Sequence, residues 1–423
     1  MTDDQPDPAD DRSTAARSFL HRSRDVVVLA ALTGALTGVV VAVFDTVVLE
    51  VLLEAVLELP LWAGALAPAV GLVVAALALR LGGRGLSPGT ADEYLRAFHE
   101  PGHALGGRAL VARMAAAVAT LGSGGAMGLE GPSLYGGAAI GAILQRRLPR
   151  PFRGADHRTL LVAGAAAGVA AIFKAPATGV VFALEVPFRD DLARRMLLPA
   201  LVAAASGYLT FVAFHGTTPL FQAVGSPDLA ARDLAGAVAL GVLAGLCARA
   251  FAALIRLAKR LATTPAVPRI ALASLALVTL FVVTRSLTGA SLTLGSGYEA
   301  ITWSTDPEHA TWLLLAVLVL RSLATTATVA GGGVGGLFIP LVVAGALLGR
   351  AVGREVSTID EGLFTVVGVA AFLGAGYRVP LAAVMFVAET TGRPGFVVPG
   401  LLAAVAAELT VGRASVTAYQ RDR

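Results

Sequence analysis

Long apolar runs constrain the fold of this chain more than any other feature of its sequence. A helix of about 17–25 apolar residues is long enough to cross the hydrocarbon core of a membrane. Six runs approach or reach this length: Val26 to Val51, Leu61 to Leu79, Leu197 to Phe214, Leu234 to Leu254, Ile270 to Val283 and Leu313 to Ala330. Other apolar segments are interrupted by Gly and Pro, and only 15% of the residues are charged. The chain is predicted to be an all-α polytopic membrane protein with roughly ten or more membrane elements.

Basic residues are concentrated beside the apolar runs, in residues 17–24, 145–158, 256–260 and 421–423. Because cytoplasmic loops of membrane proteins carry an excess of Lys and Arg, both termini are expected in the cytoplasm of a multi-pass cell-membrane protein. Each cluster is short and abuts a span, which argues against a nucleic-acid partner. Residues 1–25 are expected to form a disordered cytoplasmic tail. The single cysteine, Cys247, excludes an internal disulfide and a cysteine metal site.

Two distant segments of the chain match each other. "KAPATGVVFALE" (174–185) and "RVPLAAVMFVAE" (378–389) share a base, a Pro, a Phe and a final Glu at the same spacing. Upstream, a second pattern repeats with nearly the same offset: Gly128, Pro132, Gly137 and Gly141 match Gly336, Pro340, Gly345 and Gly349. Internal repeats are common in membrane transporters. We therefore expect two related membrane halves, 26–215 and 234–415, joined by a loop over 216–233 and followed by a short tail over 416–423.

The segments "GLEGP" (128–132) and "GGLFIP" (335–340) predict helices that begin inside the membrane. Interruptions of this kind are tolerated at membrane depth only where protein or a bound ion covers the free backbone groups. A helix that begins there points unpaired N–H groups and the positive end of its dipole inward. Pro is accommodated in the first turn because its missing N–H has no helical partner. Several converging N-termini would bind an anion without a buried Lys or Arg.

At this point the sequence resembles a known family. "GSGGAMGLEGPSLYGGAAIG" (122–141), "GGGVGGLFIP" (331–340) and the repeated "KAPATGVVFALE" are similar to the signature segments of CLC chloride channels and chloride/proton exchangers, of the prokaryotic type without cytoplasmic CBS modules. The resemblance runs from about Val26 to the C-terminus. It implies an inverted repeat of discontinuous, tilted helices and a homodimer in the lipid bilayer with one pore per subunit. Chloride and protons are then the expected partners, with no cofactor.

The resemblance also implies roles for individual residues. Glu130 corresponds to the gating glutamate, which occupies an anion site when ionised and admits chloride when protonated. The alternative, a Glu that only caps its helix, would contribute about 0.3–2 kcal/mol, against a cost of about 2.5–3.5 kcal/mol or more for an intramembrane charge. The expected anion-binding residues are Ser87, Gly131, Leu337, Phe338 and Thr417, and the expected structural loop residues are Gly128, Pro132, Gly336 and Pro340.

Two of these positions depart from the family pattern. Ser87, in "GLSPGTADEY", is the best match to the central serine, with a plain N-cap as the alternative. The central tyrosine is missing from "ASVTAYQ": its position falls on Thr417 or Val416, and Tyr419 comes a few residues late. The inner anion gate is therefore expected to be altered, with weak discrimination among chloride, bromide and nitrate.

A further departure concerns proton transfer. Many exchangers of the family carry a Glu-Glu pair where this chain has Glu185 and Val186, and valine has no titratable group. Glu185 and Glu389 are therefore expected to be structural. The favoured function is chloride transport gated by protonation of Glu130, channel-like or weakly proton-coupled. The alternatives are a stoichiometric chloride/proton antiporter, a transporter of nitrate or fluoride, and, from a different class, a membrane-embedded enzyme or sensor.

The remaining polar residues indicate no further chemistry. The acidic and histidine residues of the 92–103 segment lack the spacing of a metal site and are expected in a solvated loop. Lys174 and Arg378 are expected to reach the membrane surface or to neutralise a carboxylate. With no nucleophile, base or metal set visible, the chain is expected not to be an enzyme.

Overall fold

The computed structural model describes residues 8–83, 85–148, 156–218, 231–356 and 361–422, and nearly all of this backbone is helical. Helix α1 (Pro8–Asp45) continues through a π-helical segment (Thr46–Leu53) into α2 (Glu54–Leu57). The rest of the first half is α3 (Leu61–Gly82), α4 (Ala91–His99), α5 (Gly107–Gly122), α6 (Glu130–Arg147), α7 (Arg158–Phe173), α8 (Pro176–Glu185) and α9 (Leu197–His215). The second half is α10 (Ala231–Leu261), α11 (Ala266–Thr288), α12 (Tyr298–Ser304), α13 (Thr311–Ala330), α14 (Phe338–Val356), α15 (Glu361–Tyr377), α16 (Pro380–Thr391) and α17 (Val397–Val411).

The predicted apolar spans are confirmed as helices. Among the described residues, seven helical stretches are long and apolar enough to cross a membrane: Arg24–Leu57, Leu61–Gly82, Arg194–His215, Ala231–Leu261, Ala266–Thr288, Thr311–Ala330 and Pro394–Val411. Each of the six predicted runs lies within one of them, and α17 provides the seventh. Helix α1 begins at Pro8, so much of the segment expected to be a disordered tail is helical instead. Residues 219–230, within the expected connecting loop, lie outside the described part of the chain.

The two halves pack their helices in the same pattern. In the first half α1 packs against α9, α3 against α5 and α6 against α7; in the second half α10 packs against α17, α11 against α13 and α14 against α15. The repeated glycines allow the last of these contacts. A Cβ atom on Gly137 would lie 2.0 Å from the Gly164 carbonyl oxygen, and one on Gly345 would lie 2.4 Å from that of Gly368. Only glycine permits backbones to approach this closely.

Helices α8 and α16 show that the repeat is inverted. The Glu185 carboxylate, at the end of α8, accepts hydrogen bonds from the Leu381 and Ala382 N–H groups at the start of α16 (3.1 and 2.8 Å). Near the end of α16, Glu389 accepts from the N–H groups of Ala177 and Thr178 at the start of α8 (2.9 and 2.6 Å). Because each helix end meets the other helix start, α8 and α16 run antiparallel. Each glutamate thus caps a helix of the opposite half, and a purely structural role for both stays a prediction.

Candidate anion site

The two Gly-Pro loops meet at the centre of the molecule. The Gly128 N–H donates to the Gly336 carbonyl (3.0 Å), and the Gly336 N–H donates to the Gly128 carbonyl (2.7 Å). Helix α6 begins two residues after the first glycine and α14 begins two residues after the second. Pro132 and Pro340 are each the third residue of their helix, where an N–H would have no helical partner. The N-termini of α6 and α14 therefore converge, as the sequence predicts.

The Glu130 carboxylate lies on the N-terminus of the opposite half's helix. Glu130 is 2% exposed, and its Oε1 accepts a hydrogen bond of 2.6 Å from the Phe338 N–H at the start of α14. Among the described residues its Oε2 has no hydrogen-bond partner, although it is buried. A negatively charged oxygen thus lies where the free N–H groups and the helix dipole favour an anion.

Glycine is required on both sides of this carboxylate. A Cβ atom on Gly128 would lie 1.9 Å from Glu130 Oε2, and one on Gly336 would lie 2.0 Å from Oε1. Any other residue at either position would collide with the carboxylate. The glycines of the two loops therefore leave space for Glu130 to reach Phe338.

A cavity of about 490 Å³ lies beside these loops, and we call it the Ser87 cavity. Its wall includes residues 85–93, Met127, Lys259, Gly335, Leu337, Tyr377 and 416–419. Three of the predicted anion-binding residues, Ser87, Leu337 and Thr417, line it. Its described wall does not include Glu130, Gly131 or Phe338, which lie behind Leu337 and Thr90. The Thr90 hydroxyl donates to the Gly335 carbonyl (3.1 Å), and a Cβ atom on Gly131 would lie 2.5 Å from that hydroxyl oxygen.

The two predicted hydroxyl residues have local partners. Ser87 precedes α4 by several residues, so it is not the N-cap of that helix, and its Oγ accepts from the Gly89 N–H (3.1 Å). The Thr417 hydroxyl lies 2.9 Å from that of Ser415. Val416 is 1% exposed and also lines the cavity. The segment that lacks the expected tyrosine therefore does form part of the cavity wall.

The expectation of a solvated loop at the start of α4 is wrong. Glu93 is 6% exposed, and its Oε2 pairs with Arg113 (2.8 Å) and His103 (3.0 Å). The same Arg113 donates to the Ser87 carbonyl (2.9 Å) and to the Tyr135 hydroxyl (2.8 Å). Removing these charges from water requires pairing, which the network supplies. It fixes the loop that carries Ser87.

Asp92, the neighbouring acid, anchors the C-terminal segment to the cavity. Lys259 Nζ of α10 lies 2.5 Å from Asp92 Oδ2 and donates to the Val416 carbonyl (2.7 Å). Asp92 Oδ1 accepts from the Ala418 N–H (3.0 Å). Sequence reasoning missed this contact because its members come from three distant parts of the chain.

Sequence reasoning also missed a cluster at the end of α9. Ligand-type atoms of Asp45, Glu50 and His215 lie within 4.8 Å of one another, a spacing that could hold a metal ion. His215 Nε2 is 3.1 Å from the Thr46 hydroxyl and 3.4 Å from Asp45 Oδ2. These hydrogen bonds and ion pairs are sufficient to explain why the three side chains lie close together. The π-helical segment beside Asp45 brings Glu50 onto the same side.

An inverted repeat of membrane helices, with a buried carboxylate lying on a mid-membrane helix N-terminus, defines a class of anion transport protein. The family model described as "Voltage gated chloride channel" matches residues 70–412. The chain therefore belongs to the CLC family of chloride channels and chloride/proton exchangers.

Individual relatives give the same assignment. The chain is 29% identical over 366 residues to a ClcB-like chloride channel protein of Ralstonia nicotianae, covering 83% of each chain. It is 26% identical over 314 residues to the H(+)/Cl(-) exchange transporter ClcA of Salmonella paratyphi A, covering 71% of this chain and 65% of the relative. Its fold is similar to that of a CLC-type fluoride/proton antiporter, with a TM-score of 0.79, 24% identity and coverage of 94% of this chain and 98% of the other.

Proposed function

We propose that this protein transports chloride across the cell membrane and that protonation of Glu130 gates the path. The observation that carries the proposal is the Glu130 carboxylate on the Phe338 N–H, 2.6 Å away. Ionised, the carboxylate is an anion that competes with chloride for this helix terminus. Protonated, it loses the charge that the N–H groups and the dipole attract. It then leaves, and chloride takes its place.

The anion-binding groups are mostly backbone N–H groups. We assign Gly131, Leu337 and Phe338 to bind chloride through their N–H groups, and Ser87 and Thr417 through their hydroxyls. Gly128, Pro132, Gly336 and Pro340 hold the loops in place. The partial positive charges of N–H and hydroxyl groups bind chloride less tightly than a Lys or Arg side chain would. Weaker binding suits conduction, because the ion must also be able to leave the site.

Proton coupling is expected to be weak. Val186, at the position of the second glutamate of many exchangers, is fully buried and cannot carry a proton. The carboxylate of the preceding residue, Glu185, accepts hydrogen bonds from N–H groups at the start of α16. We therefore favour channel-like or weakly coupled transport. Stoichiometric chloride/proton exchange is the second candidate, supported by the name of the exchange transporter to which the chain is similar.

The membrane arrangement belongs to the same proposal. Residues 26–215 and 234–415 form the two halves, with both termini in the cytoplasm. Apolar side chains on α9 and α17 are exposed, among them Leu201, Leu209, Val405 and Leu409. The family resemblance implies a homodimer. The exposed apolar faces of α9 and α17 can be buried against a second subunit or against lipid.

Chloride efflux and proton uptake in liposomes test the proposal. We compare wild type with Glu130→Gln between about pH 4.5 and 7.5. Wild-type efflux should rise with acid, and the variant, which mimics the protonated state, should lose this response. Glu58→Gln is the control, since Glu58 is exposed at the end of α2. An unchanged pH response in Glu130→Gln excludes the gate, and uphill proton movement on a chloride gradient selects the exchanger.

A further inference from the structure

Tyr377 brings a phenol ring to the Ser87 cavity from an element in which no anion ligand was expected. It is the last residue of α15, is 2% exposed and belongs to the cavity wall. Its ring packs edge to face on Phe182, with centroids 5.3 Å apart, and lies 6.4 Å from the ring of Phe338. Aromatic neighbours on two sides therefore fix the direction of the side chain.

The end of α15 is joined to the segment that lacks the expected tyrosine. The Val416 N–H donates to the Gly376 carbonyl (2.9 Å), and the Gln420 side-chain amide donates to the Tyr377 carbonyl (2.7 Å). Val416, Thr417 and Tyr377 consequently line the same cavity. A tyrosine is present at this place in the fold, but it comes from α15 instead of the C-terminal segment.

Tyr377 lines the cavity together with Leu337, the residue just before α14. A phenolic hydroxyl has an O–H proton to donate. On this wall the hydroxyl faces the same cavity as the segment that leads into α14. It would add a donor to the N–H groups already there.

Among the described residues of the cavity wall, both cations are already paired. Lys259 contacts Asp92 and the Val416 carbonyl, and Arg96 Nε contacts Glu100 Oε2 at 3.0 Å. An anion in this cavity therefore depends on neutral donors. Among the side-chain hydroxyls, a phenol is more acidic than Ser or Thr and is a stronger donor to an anion.

We propose that the Tyr377 hydroxyl donates a hydrogen bond to the anion bound between Ser87 and the start of α14. Tyr377 thereby supplies the tyrosine contact that Val416 and Thr417, at the position of the expected tyrosine, cannot make. The assignment rests on the proposed chloride transport and names an additional ligand of the same path. It also makes the preference of the path for chloride over nitrate depend on α15.

Equilibrium binding of chloride to the purified protein, measured by isothermal titration calorimetry, tests the assignment. Tyr377→Phe keeps the ring between Phe182 and Phe338 and removes only the hydroxyl. We expect the chloride Kd to rise about tenfold, as for the loss of a hydrogen bond to a charged group. In liposomes the ratio of chloride to nitrate flux should fall with it.

Two other tyrosines provide the comparison. Tyr94 donates to the Ala183 carbonyl (2.8 Å) in the interior, so Tyr94→Phe controls for loss of a buried hydroxyl. Tyr419 lines the cavity but is 37% exposed and tests the rival assignment. A wild-type Kd in Tyr377→Phe, or a larger rise in Tyr419→Phe, overturns the Tyr377 assignment and leaves chloride transport standing. If wild type shows neither chloride binding nor efflux, the proposed function fails and the assignment fails with it.

Discussion

The loops "GLEGP" and "GGLFIP" have matching backbones but different side chains. Each places a glycine two residues before a helix and a proline in its first turn, and the two glycines exchange backbone hydrogen bonds. At the first helical position the first half has Glu130 and the second has Phe338. The carboxylate of one accepts from the N–H of the other. The inverted repeat therefore provides two equivalent helix termini that differ in this residue. Under the proposed function, the difference makes the first half the source of the gate and the second half its binding site.

Helices α8 and α16 show the opposite behaviour. There the two halves carry the same residue, since Glu185 and Glu389 each accept from two N–H groups of the other helix. The symmetric pair of carboxylates links the two halves. Under the proposed function, the asymmetric carboxylate of Glu130 moves when it is protonated.

The largest effect on the pH dependence of chloride efflux is expected from Gly336→Ala, which breaks the contact between the two loops. The new Cβ would lie 2.0 Å from Glu130 Oε1 and 2.5 Å from the Gly131 nitrogen. The carboxylate must then leave the Phe338 N–H, so the acid dependence of chloride efflux should disappear as in Glu130→Gln. Overpacking of this kind also destabilises by about 1–3 kcal/mol.

The matched control is Gly345→Ala, which creates a clash of the same kind without a carboxylate. Its Cβ would meet the Gly368 carbonyl oxygen at 2.4 Å. Thermal unfolding in detergent should show a comparable loss of stability, while efflux keeps its pH response. If Gly336→Ala retains the wild-type pH profile, the glycine does not serve the carboxylate.

A smaller effect is expected from Glu185→Gln and Glu389→Gln, which test the symmetric pair. Each variant replaces an acceptor-only carboxylate by an amide that can accept through one oxygen only, so one N–H donor is left poorly paired. We expect a loss of about 1–3 kcal/mol in each variant, seen as a lower unfolding midpoint. The pH dependence of efflux should stay as in wild type. A pH response altered by Glu185→Gln alone would show that this half also carries protons.

The sequence predicted the parts of the structure that depend on local residue types. Gly128, Pro132, Gly336 and Pro340 identified two helix starts because glycine spacing and first-turn proline have the same meaning wherever they occur. The lack of a second glutamate beside Glu185 predicts a structural role for Glu185, and its hydrogen bonds to the start of α16 support that prediction.

The parts that the sequence did not predict depend on contacts between distant segments. The pairing of Asp92 with Lys259 joins residues 167 positions apart, and no local pattern distinguishes it from a solvated acid. Tyr377 was overlooked for the same reason, since its neighbours in the cavity belong to the loop before α4 and to the C-terminal segment. Residues 92–103 were assigned to a solvated loop because their partners, Arg113 and Lys259, lie on other helices.

The smallest effects are expected at the bases that precede the repeated Pro residues. Lys174 and Arg378 both have left-handed backbone conformations, with φ of 52° and 59°, which costs a non-glycine residue about 1–3 kcal/mol. Their side chains differ in what they contact. Lys174 donates to the His215 carbonyl (3.1 Å), whereas Arg378 lies 2.7 Å from Glu408. Within the described part of the chain, the expected neutralisation of a carboxylate is therefore found at Arg378 and not at Lys174.

Substitution by glycine at both positions separates backbone strain from this ion pair. Glycine removes the backbone strain of the folded state. It also gives the unfolded chain more conformational entropy, which lowers the free energy of unfolding by about 0.4–1 kcal/mol. Lys174→Gly should therefore leave the free energy of unfolding unchanged or raise it by at most about 2.6 kcal/mol. Arg378→Gly also leaves the largely buried Glu408 carboxylate without its partner and should cost about 2 kcal/mol more than Lys174→Gly. Unfolding midpoints in detergent measure the difference, and restoring neutrality with Glu408→Gln in the Arg378→Gly background should recover part of it. Equal effects of the two glycine substitutions would mean that the ion pair contributes nothing and that both halves use their base in the same way.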